Sequence, residues 1–380
     1  MRNISWRYFD FWLLGAVTVL TIFGVAMISS AIANNIELIE QNTVIKQIIF
    51  AAAGFVIMII TATIDYRYWS ALSKFFFVGI TALLAILFLA GDALFGSARW
   101  FKVGPILIQP SELAKIVMIL VLANFFTQNI AEIHRPITVL KSMGVTMVVV
   151  SWILLQPDLS TSIVIIVIWF ALLWASGLEI KHLLIAGGGG LLTLAIGLPL
   201  LLLNYDPTNT EGLIKPYQLE RIINFVFPNP DARYGANYNV EQAQISIGSG
   251  GWLGQGYGGG SQVQLRFLKV RHSDFIFSAL SEEFGFVGAL VVLGLLLFII
   301  FRCLRAARLS NDTFGALIAY GVATLITFQS IVNIGMNLNL LPVTGLTLPF
   351  VSYGGSSLLS LFLGIGLVES ILLRYKDLEF

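Results

Sequence analysis

Long, uninterrupted apolar runs are the feature that most constrains how this chain can fold. An α-helix needs roughly 20 apolar residues to cross a bilayer, and most of these runs are close to that length. They are continuous rather than alternating, which argues against the strands of a transmembrane barrel. We therefore predict an all-α polytopic integral membrane protein with ten transmembrane helices, near residues 11–33, 47–64, 75–91, 112–127, 141–156, 159–176, 183–203, 275–301, 314–336 and 350–373.

The composition supports a membrane protein and excludes several other classes. Of the 380 residues, 57% are hydrophobic and 11% are charged, whereas soluble domains carry about 25% charged residues. A net charge of +1 without any Lys/Arg run gives no indication of a nucleic-acid partner. The single cysteine, Cys303, excludes an internal disulfide. The first apolar run is long enough to span, and it lacks a convincing signal-peptide cleavage site.

The basic residues predict the orientation of the helices. Cytoplasmic loops collect Lys and Arg, and an even number of spans places both termini on one side. With both termini in the cytoplasm, the short outer loops carry only Lys46, Arg99 and Lys102. The chain is then a single membrane domain, residues 1–380, with a large extracytoplasmic loop at 205–272 between the seventh and eighth helices.

The large loop contains stretches with their own pattern. Residues 217–227 and 240–247 are aromatic or amphipathic, which predicts short helices on the membrane surface. Residues 248–260 are rich in glycine, so their backbone could either cradle an anion or form a flexible hinge or tight-turn loop. The segment lacks the Gly-Lys-Ser/Thr ending of a phosphate-binding loop, and we expect no nucleotide there.

Asp274 is the strongest candidate for a functional residue, because it lies where the large loop meets the eighth apolar run. A carboxylate at the mouth of a membrane segment is costly to bury and usually marks a functional site. The simpler alternative is a negative charge at a helix N-terminus, which stabilises the helix by roughly 0.3–1 kcal/mol. The neighbouring His272 either orients Asp274 or is an ordinary polar loop residue.

Two further polar clusters are predicted on the outer face. Glu112 and Lys115 are three residues apart and share a helix face, so they form either a local ion pair or a polar pocket wall. Asp158, in a very short turn, either caps the sixth span or contacts a ligand.

A third outer segment, residues 341–357, has too many prolines and glycines for a regular helix. Irregular backbone at membrane depth survives when it is buried in protein or lines a cavity. We therefore expect this segment to form the wall of a cavity.

Four motifs together resemble the SEDS family of shape, elongation, division and sporulation proteins, which includes RodA and FtsW. They occur in order along the whole chain: ARW at 98–100 with QPSELAK at 109–115, QPD at 156–158, HSDFIF at 272–277 with EEFG at 282–285, and the segment from LP at 341–342 to SYGGS at 352–356. Lys269, Ser273 and Ser160 depart from the usual family pattern, although Ser273 keeps the hydroxyl of the usual threonine.

The resemblance implies a peptidoglycan glycosyltransferase that polymerises lipid II at the outer face of the bacterial cytoplasmic membrane. Its catalytic residue would be Asp274, acting as the general base of an inverting reaction. The implied substrate-binding residues are Arg99, Trp100, Glu112, Lys115, Asp158, Gln218, Arg221, Gln262, His272 and Ser352. Among these we expect Arg99, Lys115 and Arg221 near the pyrophosphate.

The resemblance also bears on cofactors and partners. A divalent cation, Mg²⁺ or Mn²⁺, suits a pyrophosphate reaction, although no metal-ligand spacing is present, and no nucleotide or organic cofactor is expected. The expected partners are lipid II, undecaprenyl-pyrophosphate-linked glycan, a class B penicillin-binding protein transpeptidase and other membrane proteins of the elongation complex. Residues 342–345 resemble the RodA branch more than FtsW, although Leu346 and Thr347 also suit FtsW. The resemblance thus favours cell elongation and shape over division.

Two other functions compete with the enzyme. A lipid II flippase would also suit ten spans with interior glycines, and a scaffold would only recruit a transpeptidase. A transporter predicts ionisable residues along the whole membrane depth. In this sequence the interior ionisable residues are predicted at the outer ends of the helices, with ordinary basic flanks at the inner ends, which favours chemistry at the outer surface.

Overall fold

The computed structural model describes residues 6–33, 35–90, 99–103, 106–179, 181, 225 and 236–375. The predicted seventh span, 183–203, lies outside these residues, as does the amphipathic stretch at 217–227 apart from Phe225.

The described residues form a bundle of α-helices with one small hairpin. The helices are α1 Phe11–Ile32, α2 Ile36–Glu40, α3 Thr43–Thr63, α4 Tyr66–Ala90, α5 Pro110–Gln128, α6 Pro136–Leu155, α7 Leu159–Ala175, α8 Ala236–Gly250, α9 Ser261–Gln264, α10 Ile276–Leu309, α11 Thr313–Asn337 and α12 Gly355–Leu372, and the antiparallel strands are β1 Phe101–Val103 and β2 Ile106–Ile108. Short 3₁₀ turns lie at Trp6–Tyr8 and Ile130–Glu132.

This arrangement confirms the predicted all-α membrane fold. Within the described ranges, eight helices are long and apolar enough to cross a membrane, and α7 is a shorter apolar helix. The two largest differences from the predicted boundaries are that α4 begins at Tyr66 and α10 continues to Leu309. Both extensions carry charged side chains, which end an apolar run without ending a helix because Arg and Lys are good helix formers.

The inner layer of the bundle consists of α5, α11 and α12. In the apolar stretches of α5 and α12, 78% and 83% of residues are buried, compared with 22% in α4. Small residues bring α12 against α3: a Cβ on Gly54 would lie 2.2 Å from Phe362, and one on Gly366 would lie 2.7 Å from the Met58 carbonyl. Such close approach is the usual way in which membrane helices pack.

The helix α10 is interrupted at Gly285, where φ is 66° and ψ is −165°. The glycine-rich turn that follows α8 supplies the missing hydrogen bonds. The amides of Gln255 and Gly256 donate to the carbonyls of Glu282 and Glu283, both at 2.9 Å, and two amides beyond the break donate back to residues 251–252. Broken backbone inside a membrane helix is tolerated when protein groups satisfy it in this way. The arrangement favours the tight-turn interpretation of the glycine-rich segment over an anion cradle.

We expect Gly285→Ala to destabilise the protein, because a Cβ there would lie 2.4 Å from the Gly254 nitrogen and the backbone has positive φ. Strain of this kind costs about 1–3 kcal/mol before any displacement of the turn. The matched control is Gly294→Ala in the same helix, where nothing lies within 4 Å of the added Cβ. Thermal unfolding in detergent should show a lower midpoint for the first variant alone. Equal midpoints would contradict the proposed role of the break.

The end of the bundle where α1 starts and α12 ends carries a buried charge network. The Asp10 amide donates to the fully buried Glu369 carboxylate at 3.0 Å, and Arg302 donates to Asp10 at 2.5 Å. Arg374 pairs with Asp65 at 3.5 Å. Arg302 and Arg374 are therefore largely buried and paired, contrary to the prediction of ordinary basic flanks, whereas Arg305 and Arg308 are exposed as predicted. The acidic partners come from distant parts of the chain, so the sequence alone did not reveal that Arg302 and Arg374 are paired.

Candidate active site

Asp274 lies at the opposite end of the bundle, immediately before α10. Its side chain is partly exposed, and the Ser273 hydroxyl donates to its Oδ1 atom at 3.1 Å. A Cβ on Gly345 would lie 3.7 Å from Asp274 Oδ2, so the irregular segment approaches the carboxylate directly. The loop therefore presents an accessible carboxylate beside a wall of non-helical backbone.

The predicted irregular segment is confirmed as non-helical over residues 341–354, whereas residues 355–357 already belong to α12. Residues 341–354 are bonded to the Asp274 loop. The buried Ser352 hydroxyl accepts from the Leu348 amide at 2.9 Å and donates to the Ser273 carbonyl at 2.7 Å. The Tyr353 amide donates to the His272 carbonyl at 2.9 Å. Ser352 also lines a shallow recess together with Thr347, Leu348 and Ser357. In this structure Ser352 holds two segments together.

Asp158 is the N-cap of α7, which confirms the capping prediction. Its carboxylate accepts from the Thr161 amide at 3.2 Å and the Thr161 hydroxyl at 2.9 Å. Gln109 and Ser111, at the start of α5, donate to the same carboxylate at 3.0 and 3.2 Å. Asp158 therefore joins the N-terminal ends of α5 and α7. The hydroxyl of Ser160, two residues after Asp158, donates to the Thr344 carbonyl at 2.5 Å. This hydrogen bond extends the connection to the irregular segment.

Arg99 and Trp100 precede the hairpin, and both are partly exposed. The Arg99 guanidinium donates to the Gln156 carbonyl at 2.7 Å and to the Pro157 carbonyl. Arg99 thus contacts the turn that positions Asp158. The Trp100 side chain lies beside it in sequence and remains a predicted contact for the substrate.

Glu112 and Lys115 form an ion pair at 2.6 Å, with no part of the Lys115 side chain exposed. The predicted local ion pair is therefore present. Lys115 lies in α5 within the inner layer of the bundle, where an ammonium group without a partner would be costly. This geometry explains how a lysine can occupy a buried position in α5.

His272 has the character of a neutral side chain. Burial and the neighbouring positive charge of Arg271 lower the pKa of His272 to about 4. Its ring packs against Tyr353 with centroids 5.8 Å apart. At neutral pH the imidazole is uncharged, so His272 does not supply positive charge for a pyrophosphate.

Gln262 lies in the short helix α9, which contacts α10 at Glu282. Its backbone N–H donates to the Glu282 carboxylate at 2.8 Å, and its backbone carbonyl accepts from the Leu268 amide at 3.2 Å. The Glu282 carboxylate also accepts from the amide of Val263 at 3.2 Å, so it fixes the start of α9. The other two predicted substrate residues, Gln218 and Arg221, lie outside the described residues.

Sequence reasoning missed two buried asparagines, Asn333 and Asn337, in α11. Both are fully buried, and both donate from Nδ2 to the Asp274 carbonyl, at 3.0 and 3.1 Å. They are four residues apart inside an apolar helix, so they share a face. Amides at that depth are costly without partners, and this spacing was the signal that could have identified them.

The predicted divalent cation has no evident ligand set in the described part of the chain. No group of three or more His, Cys, Asp or Glu side chains is close enough there to hold a metal. The Asp158 carboxylate is occupied by hydrogen bonds from protein groups. The divalent cation stays a prediction, and the reaction proposed for this site does not depend on it.

Comparisons with known proteins agree with this architecture. The chain is 35% identical to the peptidoglycan glycosyltransferase MrdB of Escherichia coli strain K12, over 95% of this chain and 92% of the relative. It is 34% identical to the probable peptidoglycan glycosyltransferase FtsW of Coxiella burnetii, over 97% of each. Its fold is similar to a chain of a solved peptidoglycan synthase complex, with a TM-score of 0.78 and 30% identity over 97% of this chain and 99% of that one.

A sequence family described as "Cell cycle protein" matches residues 11–377, which is nearly the whole chain. Relatives of both the FtsW and the MrdB kind are similar to nearly the same degree. The chain therefore belongs to the FtsW/RodA/SpoVE family of membrane proteins.

Proposed function

We propose that this protein is a peptidoglycan glycosyltransferase that polymerises lipid II, with Asp274 as its general base. The single observation that carries the proposal is the placement of Asp274: a partly exposed carboxylate at the mouth of a membrane helix, beside irregular backbone. The names of the relatives support the same reaction class.

The chemistry requires one base and one leaving group. Asp274 takes the proton from the 4-hydroxyl of the acceptor sugar on lipid II, and that oxygen attacks the anomeric carbon of the donor glycan. The bond between the anomeric carbon and the pyrophosphate oxygen breaks, and the lipid pyrophosphate leaves with the electron pair. An α-linked phosphate thereby becomes a β-linked sugar. General-base assistance of this kind contributes about 10²–10⁴-fold.

The leaving pyrophosphate requires positive charge, and Arg99 is the described residue that we assign to it. Its guanidinium carries five N–H donors in a fixed plane and lies at the outer end, beside the turn before α7. Lys115 is fully buried against Glu112, which favours a role in holding α5. Trp100, Gln262 and Ser352, together with Gln218 and Arg221, remain predicted substrate contacts.

The setting of this reaction is also a proposal. Both termini would face the cytoplasm and Asp274 the outer surface of the bacterial cytoplasmic membrane, as the basic residues indicate. The RodA-like sequence at 342–345 supports a role in elongation over division. Similarity to a chain of a synthase complex that joins polymerization and crosslinking supports a class B penicillin-binding protein transpeptidase as partner.

A lipid II flippase is the second candidate, and one observation favours it. Ionisable groups are buried at both ends of the bundle. Glu369 and Asp10 lie at the end where α1 starts, and Glu112 and Lys115 lie toward the end that carries Asp274. A transport path needs polar groups at several depths.

One experiment separates the two functions. Purified protein is given fluorescent lipid II, in detergent for strand synthesis and in liposomes for exchange between leaflets. Ladders of glycan strands on a gel, which a muramidase digests, are the result that we expect. Exchange between leaflets without any strands would instead establish the flippase and contradict the proposed function.

A further inference from the structure

We propose that Asn333 and Asn337 are positioning residues for Asp274, acting through its backbone rather than its carboxylate. This inference rests on the proposed function, because it concerns the same site. Neither asparagine touches the reacting groups in the described structure. Their role would be to hold the general base at a fixed place relative to the irregular segment.

The start of α10 is capped from a neighbouring helix. The N-cap residue, Phe275, has no side chain that can accept a hydrogen bond. The amide of Ser278, three residues further on, instead donates to Asn337 Oδ1 at 3.2 Å, and the Ser278 hydroxyl donates to the same atom at 2.6 Å. Unpaired amides at a helix start are costly when they are buried. Asn337 therefore caps α10 from a neighbouring helix and fixes where that helix begins.

The backbone carbonyl of Asp274 lies just outside α10. It accepts from Asn337 Nδ2 at 3.1 Å and from Asn333 Nδ2 at 3.0 Å. One backbone oxygen is thus held by two fully buried amides. These hydrogen bonds fix the backbone of Asp274. Because the backbone determines the direction of the Cα–Cβ bond, they also place the Asp274 side chain.

Asn333 also connects the irregular segment to Asp274. Asn333 Nδ2 also donates to the Leu346 carbonyl at 2.7 Å. The same amide group therefore joins Asp274 to Leu346. The residue before Leu346 is Gly345, which approaches the Asp274 carboxylate. A shift of about 1 Å in a reacting group can cost roughly 100-fold in rate. This junction is where such a shift would arise.

Asn333→Leu is the most direct test, because leucine has a similar size but cannot donate. The Asn333 Oδ1 atom makes no hydrogen bond, so the substitution removes only the two donated bonds. Gln329→Leu is the matched control: Gln329 is buried one turn earlier in α11, and its amide oxygen makes no hydrogen bond. Asn337→Asp is the second variant, since it keeps an oxygen that can cap Ser278.

We expect kcat for lipid II polymerisation to fall roughly 10- to 100-fold in Asn333→Leu and in Asn337→Asp, with KM within about two-fold of the native value. Gln329→Leu should retain both constants. A rise in KM at unchanged kcat, or an equal loss in the control, would overturn the inference.

Hydrogen–deuterium exchange gives a readout that does not depend on activity. Amide exchange in peptides covering residues 272–281 should be faster in both asparagine variants than in Gln329→Leu. If exchange there is unchanged in the asparagine variants, the positioning role is wrong whatever the activity. If native protein makes no strands at all, the proposed function fails, and exchange still decides the anchoring of Asp274.

Discussion

Glu112→Gln is expected to destabilise the protein strongly. It would leave the fully buried Lys115 ammonium without the carboxylate that now lies 2.6 Å away. Removing one partner of a buried ion pair typically costs about 3–5 kcal/mol, because the remaining charge is uncompensated. Thermal unfolding in detergent and the yield of monodisperse protein would both measure the loss.

The chain provides a matched control for this substitution. Arg135 and Glu132 form another ion pair with the same three-residue spacing, at 2.7 Å, but their side chains are 66% and 48% exposed. Exposed pairs contribute about 0–1 kcal/mol, so Glu132→Gln should change little. Combining Glu112→Gln with Lys115→Met should recover part of the lost stability, since an apolar residue needs no partner. Equal unfolding midpoints for the two single variants would contradict the assignment.

Much of the fold could be predicted because it depends on local patterns. Continuous apolar runs identified nine helices of the described structure, and prolines and glycines identified the irregular segment. The cap at Asp158 and the pair at Glu112 and Lys115 also followed, since each involves residues within one helical turn.

The remaining features depend on contacts between distant residues. Asn333 and Asn337 lie about sixty positions from Asp274, and a single sequence gives no reason to pair them. Glu369 and Asp10 are 359 positions apart, so the buried charge network was mistaken for basic flanks. The glycine-rich segment kept two interpretations because the choice depends on the break at Gly285.

Asp274→Asn is expected to abolish polymerisation while leaving the fold intact. An amide is a far weaker base than a carboxylate, so the proton of the acceptor hydroxyl has nowhere to go, and the rate should fall at least about 100-fold. The contacts from Asn333 and Asn337 go to the Asp274 backbone carbonyl, which the substitution retains. We therefore expect an unfolding midpoint within a few degrees of the native protein. Glu241→Gln, which neutralises an exposed carboxylate on α8, is the control.

The most direct measurement is the initial rate of strand formation from fluorescent lipid II by native protein, Asp274→Asn and Glu241→Gln, purified in parallel and matched for folded protein. The account predicts ladders from the native protein and from Glu241→Gln, and none above background from Asp274→Asn. Strands of normal length and rate from a well-folded Asp274→Asn protein would show that this carboxylate is not the base.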